Sequence, residues 1–455
     1  MPGVVVWSPS MTLSEDSIVA IATGLSAAGI GILRVSGPAS RMIATRMLGR
    51  APKRRYAHYI TWRDDQGEVI DQGLLLYFQR PHSFTGEDVL EFQGHGSIPV
   101  LQRGLQQLCS YGARKAEPGE FSQRAFLNGR IDLTQAEAVA DLIGAQSDAV
   151  ARAAMRSLQG AFAQRVATLQ QALIALRVHV EAAIDFPEEE IDFLADQSIA
   201  AQLHTLQIEH RALQHDARQG CRLRDGLKVV LLGAPNAGKS SLLNALTGMD
   251  RAIVTAQPGT TRDVVEEQLQ LDGVSLLLAD TAGVRDSDDA IEREGIRRTR
   301  EALQQADLVI AVIDASAADV MAQKTALQAE LPRDKQTLWV VNKVDLQPET
   351  NLPKPDFLHL SAKLGSGLDD LRQQLRAVAS GGTAGAAFSA RQRHLDALES
   401  VERHLHCAEQ HLTDRFGELL AEELRLAQAV LSEITGEFHS DDLLGAIFSS
   451  FCIGK

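Results

Sequence analysis

Apolar positions along this chain change their period several times, and each change marks a different kind of structure. Near the amino end, short β-rich runs alternate with turns: residues 18–22, 30–35, 74–78 and 89–92 read as strands, and 98–111 reads as a helix. From about Leu133 the chain becomes rich in Ala, Gln and Leu. There Phe162, Val166, Leu169, Leu173, Leu176 and Val180 recur at alternating spacings of four and three, a helical seam that Asp185-Phe186-Pro187 interrupts. The period then changes again. Leu227–Leu232 is solidly apolar, as a strand buried on both faces requires. Residues 267–271 and 274–279 flank Asp272-Gly273, a hairpin signal, and further strands are expected at 308–313, 338–341 and 357–360 with a helix over 367–378. Gly381-Gly382 marks a break, after which Leu420, Leu424, Ala427, Leu431 and Ile434 restore the four-three seam.

Two helical stretches of one character thus flank a complete α/β segment. Periodicity allows one helical domain built from both flanks or two separate bundles, and the shared character favours the first. The expected architecture is multidomain: an α+β domain over residues 1–130, an all-α helical domain from 131–226 and 381–455, and an α/β domain over 227–380 inserted between its halves. No internal repeat or long low-complexity tract interrupts it.

A length of 455 residues suits two to four domains, and a hydrophobic content of 45% supplies their cores. No apolar stretch is long enough to span a bilayer, and the first residues lack the pattern of a secretory signal. Cys109, Cys221, Cys407 and Cys452 show neither metal nor disulfide spacing, which fits a reducing cytoplasm. A net charge of −14 argues against indiscriminate coating of nucleic acid, since phosphate neutralisation supplies most of that affinity. RNA would need a local basic patch or a basic partner, and no long block of Lys and Arg stands out.

The candidate chemistry begins at Gly233-Ala234-Pro235-Asn236-Ala237-Gly238-Lys239-Ser240, a P-loop pattern between a strand and a helix. Such a turn aims backbone N–H groups and a helix N-terminus at phosphates, with Ala237, Gly238, Ser240 and Ser241 in the cradle. Lys239 reaches the β- and γ-phosphates, and the Ser240 hydroxyl is placed for Mg²⁺. Pro258-Gly259-Thr260-Thr261-Arg262-Asp263 follows as a switch loop, one threonine, Thr261, completing the Mg²⁺ shell. In Asp280-Thr281-Ala282-Gly283, the carboxylate suits the metal through water and the glycine N–H suits the γ-phosphate. Within Asn342-Lys343-Val344-Asp345, Asp345 can accept from guanine N1–H and the exocyclic amine together, whereas adenine would leave it unpaired. Ser361-Ala362-Lys363 then suits contact with the guanine oxygen. Five signals in this order read as a GTP-binding domain.

The glutamine that orients water in many small GTPases is replaced by Val284. Asn236 offers one substitute, an oxygen for a monovalent cation completed by carbonyls of Thr255, Gln257 and Thr260; its other reading is stabilisation of the turn. Glu292, within Ile291-Glu292-Arg293-Glu294-Gly295, reads on its own as a solvated helix-face glutamate.

Motifs at both ends add a resemblance. Phe84-Thr85-Gly86-Glu87-Asp88-Val89, the run Pro118-Gly119-Glu120-Phe121-Ser122-Gln123-Arg124-Ala125-Phe126-Leu127-Asn128-Gly129-Arg130 and the terminal Cys452-Ile453-Gly454-Lys455 resemble the tRNA-modification GTPase MnmE (TrmE) family over essentially the whole chain. The resemblance implies a homodimer formed through N-terminal folate-binding domains. It implies a GTPase stimulated by K⁺, with Asn236 as potassium ligand, Glu292 orienting water and Arg285 as the arginine after the Asp-x-x-Gly motif. It implies a complex with the FAD-binding partner MnmG (GidA), heterotetrameric or larger, that acts on tRNA. Together the two would install an aminomethyl or carboxymethylaminomethyl group on C5 of the wobble uridine (U34), the carbon coming from 5,10-methylenetetrahydrofolate or 5-formyltetrahydrofolate. Arg34, Glu87, Arg130 and Lys455 would meet the folate, and Cys452 would be a catalytic thiol. Guanidinium groups suit the carboxylate tail of a folate, although each charged residue alone reads as a surface ion-pair member, and Cys452 alone as an inert buried thiol. Three departures stand out: Arg130 where some members have lysine, Pro258 where alanine is frequent, and a segment before Ser14 that is expected to trail.

Two rivals are weighed against an enzyme of this kind. A ribosome-assembly GTPase would need an RNA-binding appendage such as a basic Gly-x-x-Gly segment, which the sequence lacks. A folate-dependent carrier in which nucleotide only regulates assembly is not separated by sequence.

Overall fold

A computed structural model describes residues 16–145, 147–185, 197–249, 266–271, 274–280, 301–304, 306–317, 319–332, 335–347, 356–379, 387–437, 441–449, 451 and 454. By contacts the chain divides into two units, one taking in residues to Ala140 and from Ser432 on, the other Asp141–Leu431. The segment before Ser14 lies outside the described residues.

The first unit is built on a six-stranded sheet ordered β3-β4-β5-β2-β1-β6. Its strands are β1 (Ser17–Ile21), β2 (Ala28–Ser36), β3 (His58–Arg63), β4 (Val69–Phe78), β5 (Val89–Gly96) and β6 (Ala113–Lys115). Strand β3 was not anticipated, although His58, Ile60 and Trp62 alternate with exposed residues as a half-buried strand demands. Helix α1 (Ser40–Leu48) follows β2, and α2 (Ile98–Ser110) covers the sheet with Leu101 and Leu108. The approach is close enough that a Cβ on Gly104 would lie 2.6 Å from Leu33 and 2.8 Å from Trp62. Trp62 itself meets Phe92 edge-on at 4.9 Å. Helix α3 (Glu120–Leu127) and the first turns of α4 (Leu133–Ile143) complete this unit with a helix from the far end of the chain. Leu444, Ile447, Phe448 and Phe451 pack there on Leu133 and Ala136.

The second unit joins a helical bundle to a second sheet. Helices α5 (Asp148–Leu158), α6 (Ala161–Asp185) and α7 (Gln197–Asp225) precede the sheet in sequence. All six residues of the first seam are buried in α6, and Asp185 ends that helix as the Asp-Phe-Pro break requires. Helix α7 then runs through Gly226 (φ 90°) into β7 (Leu227–Leu232) with no loop between.

The sheet is ordered β12-β11-β10-β7-β9-β8, with β8 (Glu266–Leu271), β9 (Val274–Asp280), β10 (Leu308–Asp314), β11 (Thr337–Asn342) and β12 (Leu358–His359). Only the β8–β9 pair is antiparallel, in the register Leu271↔Val274 that the hairpin signal anticipates. Helices α8 (Lys239–Met249) and α10 (Leu368–Ala379) pack on one face through Leu242, Leu246, Leu371 and Leu375. Between them in sequence, α9 (Val320–Glu330) packs Leu327 on the other face.

The chain returns to the bundle through residues 387–391 and continues as α11 (Gln392–Thr413), α12 (Gly417–Thr435) and α13 (Asp441–Ser449). The return segment is fastened tightly. The N–H of Ser389 donates to Ser157 Oγ at 2.9 Å, Arg156 Nε donates to the carbonyl of Ala387 at 2.7 Å, and Phe388 stacks on Phe162 at 4.6 Å. A carboxylate ties both crossings: Asp141, buried, accepts from Arg224 at the end of α7 and from Arg391 before α11, each at 2.8 Å. Farther along, His210 Nε2 lies 2.9 Å from the carbonyl of Leu398, and Arg177 donates to Gln428 at 2.5 Å. Leu420, Leu424, Ala427, Leu431 and Ile434 are all buried, so both seams do serve as core.

Candidate nucleotide site

Parallel strands end at one edge of the second sheet, and every described nucleotide signal lies there. Register sets Asp280 beside Leu231 and Asp314 beside Asn342, so the ends of β9, β10 and β11 are level with the start of the phosphate loop. The loop itself runs from Gly233 to the first turn of α8, whose N-terminus favours anions. Asn236 takes a left-handed conformation (φ 66°) at an exposed position on the loop, and its side chain has no protein partner among the described residues. An exposed amide oxygen without other commitment is a suitable ligand for a hard cation. Ala237 is buried beneath it. Lys239 is buried and arches back across the loop, its Nζ donating to the carbonyls of Gly233 at 2.7 Å and Ala234 at 3.1 Å. Ser240 and Ser241 open α8 on its exposed side.

Asn342 holds the two halves of the site together. Its Nδ2 donates to the carbonyl of Ala237 at 3.0 Å, and its Oδ1 accepts from the N–H of Lys343 at 2.8 Å and of Ala362 at 3.0 Å. The phosphate loop, the end of β11 and the Ser361-Ala362-Lys363 loop therefore share one buried amide. This crowding explains Gly238: its φ is 94°, and a Cβ there would fall 2.3 Å from Asn342 Nδ2.

At the base end, Lys343 (φ 65°) turns the chain into a single 3₁₀ turn, Val344–Leu346, that leaves Asp345 exposed. Ser361 is buried: its Oγ accepts from the N–H of Leu364 at 3.2 Å, and its own N–H donates to the carbonyl of Ser366 at 2.9 Å. Lys363 is exposed. One residue that sequence reasoning missed is Asp314, whose carboxylate accepts from Lys343 Nζ at 2.6 Å and from the Ser316 hydroxyl at 2.6 Å. Burial would raise its pKa, but the Lys343 ammonium and the Ser316 donors outweigh that and hold the carboxyl below its ordinary value. An acid closing an otherwise apolar strand was the available signal.

Thr255, Gln257, Thr260, Thr261, Thr281, Ala282, Gly283, Arg285, Glu292, Cys452 and Lys455 lie outside the described residues, and for Asp280 only the backbone is described.

A second cluster occupies the first unit. Arg34 on β2 donates to Glu91 on β5 at 2.8 Å, with the rings of Phe84 and Phe121 each within 6 Å of its guanidinium carbon. Glu87 accepts from the Ser36 hydroxyl at 2.6 Å and from Arg124 at 3.2 Å. Arg124 is buried among Glu87, Glu120 and Asp16. Burial opposes the charge of Glu120, yet Arg114, the Glu117 N–H and Arg124 keep its pKa below the ordinary value. Arg130 is exposed and lies against Gly86, where an added Cβ would be 3.2 Å from its Cγ. No ion pair engages Arg130 among the described residues. Arg34, Glu87 and Arg130 therefore share one neighbourhood, in which Arg34 and Glu87 are partnered within the protein and Arg130 is open. Arg124 and Glu120 were missed as site-forming residues, although both stand in the quoted motif.

A phosphate loop and a guanine-type recognition turn, joined on the carboxyl edge of a mostly parallel sheet, define a P-loop GTPase. The "MnmE helical domain" model matches residues 133–452, and the "GTP-binding protein TrmE N-terminus" model matches residues 17–130. The chain is 52% identical to tRNA modification GTPase MnmE of Stutzerimonas stutzeri over 98% of its own length and 100% of that protein's. It is 50% identical to the protein of the same name from Vibrio cholerae, strain O395, over 97% and 100%. The chain belongs to the MnmE family of tRNA modification GTPases.

Proposed function

We propose that this GTPase is the nucleotide-hydrolysing component of an enzyme that modifies C5 of the wobble uridine in tRNA. Full-length kinship to proteins named tRNA modification GTPases carries this reading, since it extends through both units and not only the GTP-binding segment. The product is an aminomethyl or carboxymethylaminomethyl group made from a folate one-carbon unit with the FAD-binding partner MnmG. The enzyme acts in the cytoplasm as a homodimer, its GTPase domain inserted between two halves of a helical domain. No helix among the described residues is long and apolar enough to cross a membrane.

Each end of the nucleotide has its own recognition. Lys239 exchanges the carbonyls of Gly233 and Ala234 for β- and γ-phosphate oxygens, and N–H groups of the loop fix the phosphates in line. Asp345, exposed beside a rigid turn, selects guanine. Ser240 with Thr261 would hold Mg²⁺, which neutralises phosphate charge when bound. Asn236 with carbonyls of Thr255, Gln257 and Thr260 would hold K⁺, Glu292 would orient the attacking water, and Arg285 would support the same step. In the first unit Arg130 is the cation best placed for a folate carboxylate, because Arg34 is held by Glu91. Glu87, held by the Ser36 hydroxyl and Arg124, would accept hydrogen bonds from the folate, and Lys455 and Cys452 would act on the same ligand.

The reading is tested by mass spectrometry of wobble-uridine nucleosides from cells lacking the gene and from complemented cells. Loss of the C5 aminomethyl-type species, restored on complementation, is expected. An unchanged profile would instead favour a GTPase with another client.

A further inference from the structure

One corner of the first sheet concentrates positive charge that the protein does not neutralise. The segment entering β3 folds against the end of β4: Arg54 bridges Tyr77, and the Arg55 N–H donates to the Tyr77 carbonyl at 2.8 Å. Arg55 is held with φ 53° and donates from Nη2 to the carbonyl of His82 at 3.1 Å, which brings the 53–56 and 80–82 segments together. Lys53 Nζ lies 5.4 Å from the ring centre of Tyr56, and the Lys53 N–H donates to His58 Nε2 at 3.0 Å. Lys53, Arg54, Arg55, Tyr56, Arg80 and His82 are all exposed. Asp88, an acid of the same corner, accepts the backbone N–H of Arg80 at 2.9 Å. Among the described residues none of the four cations forms an ion pair, in a chain whose net charge is −14.

We propose that this corner, Lys53, Arg54, Arg55, Tyr56, Arg80 and His82, is a docking surface for RNA. Identifying the RNA as tRNA rests on the function proposed above. Guanidinium forks fit phosphate oxygens, and an exposed tyrosine beside a lysine offers a platform on which an unpaired base stacks. Tyr56 is the one large ring among the six and none is aliphatic, too little apolar surface for a membrane anchor. A net charge of −14 disfavours indiscriminate attraction of RNA, so binding would have to rely on a local basic surface such as this one.

The test uses the full-length protein and bulk tRNA in filter binding without nucleotide, over a NaCl series, beside a Lys53→Gln/Arg54→Gln variant. Both substitutions lie outside the nucleotide site, and GTP hydrolysis without RNA is expected to be unchanged. The variant should bind about tenfold more weakly at roughly 0.1 M salt, and its log–log salt slope should fall by about one to two. Tyr56→Ala should weaken binding by roughly fivefold or more with little change in slope. Wild-type affinity and slope in the double variant would overturn the docking surface while leaving the tRNA reading intact. Failure of the wild-type protein to bind tRNA at all would sink both. Loss of binding to vesicles of anionic lipid with tRNA affinity unchanged would assign the corner to a membrane and overturn the proposal.

Discussion

Both ends of the Asn342 side chain are turned onto the protein itself, and that decides how substitution there should act. Asn342→Ala removes the shared amide and leaves the buried carbonyl of Ala237 and the half-buried N–H of Ala362 without it, a loss of roughly 1–3 kcal/mol. GDP binding by calorimetry should weaken roughly tenfold or more, although Asn342 need not touch the nucleotide. Asp314 predicts a pH dependence. Its folded pKa lies below the ordinary carboxylate value, so its stabilising contribution is present above the unfolded pKa and is lost as pH falls through the folded one. Below roughly pH 4, thermal scans should show a steeper loss of Tm in the wild-type chain than in Asp314→Asn. Asp345 and Lys239 were readable in the sequence because spacing within one short motif expresses their chemistry. The long-range partnerships of Asn342, Asp314 and Arg124 were not, since they join residues 20, 29 and 108 positions apart and spacing carries no sign of them.

At the scale of elements, the buried seams of α6 and α12 followed directly from period, whereas the joint that links bundle to sheet did not. Asp141 meets residues 83 and 250 positions away, and nothing in its helical context marks it. Its side chain is 4% exposed and serves two arginines from different segments. Asp141→Ala would remove the acid that the two arginines share, and because Arg224 keeps Asp225 as a partner the cost is about 2 kcal/mol, below that of a buried charge left wholly unpaired. The denaturant midpoint followed by helical circular dichroism should fall accordingly, and Asp141→Glu should recover part of the loss. Strand β3 escaped the sequence reading for another reason: its three buried residues are a histidine, an isoleucine and a tryptophan among polar neighbours, too sparse an alternation to stand out. The packing of α13 on Leu133 and Ala136 was equally hidden, because helical period shows which face is apolar but not what will cover it.

For the whole molecule, the expected route of hydrolysis is a cation held at the phosphate loop, for which Asn236 supplies an exposed oxygen. GTP turnover should be at least about tenfold faster in KCl than in NaCl at matched ionic strength, and Asn236→Ala should erase the difference. Equal rates in the two salts with the native chain would remove the cation from the mechanism. Fastening the return segment beside α5 and α7 also carries a consequence for synthesis on the ribosome. His210 waits for Leu398, 188 positions later, and Arg177 waits for Gln428, 251 positions later. At about 5–20 residues per second, α6 and α7 emerge roughly ten to fifty seconds before the helices that cover them. The nucleotide-binding segment, by contrast, has all its strands by His359 and its last helix by Ala379. The module encoded in the middle can therefore be finished first, and for that interval the nascent chain carries a folded GTPase on an uncovered helical stem, the state in which chaperones would meet it.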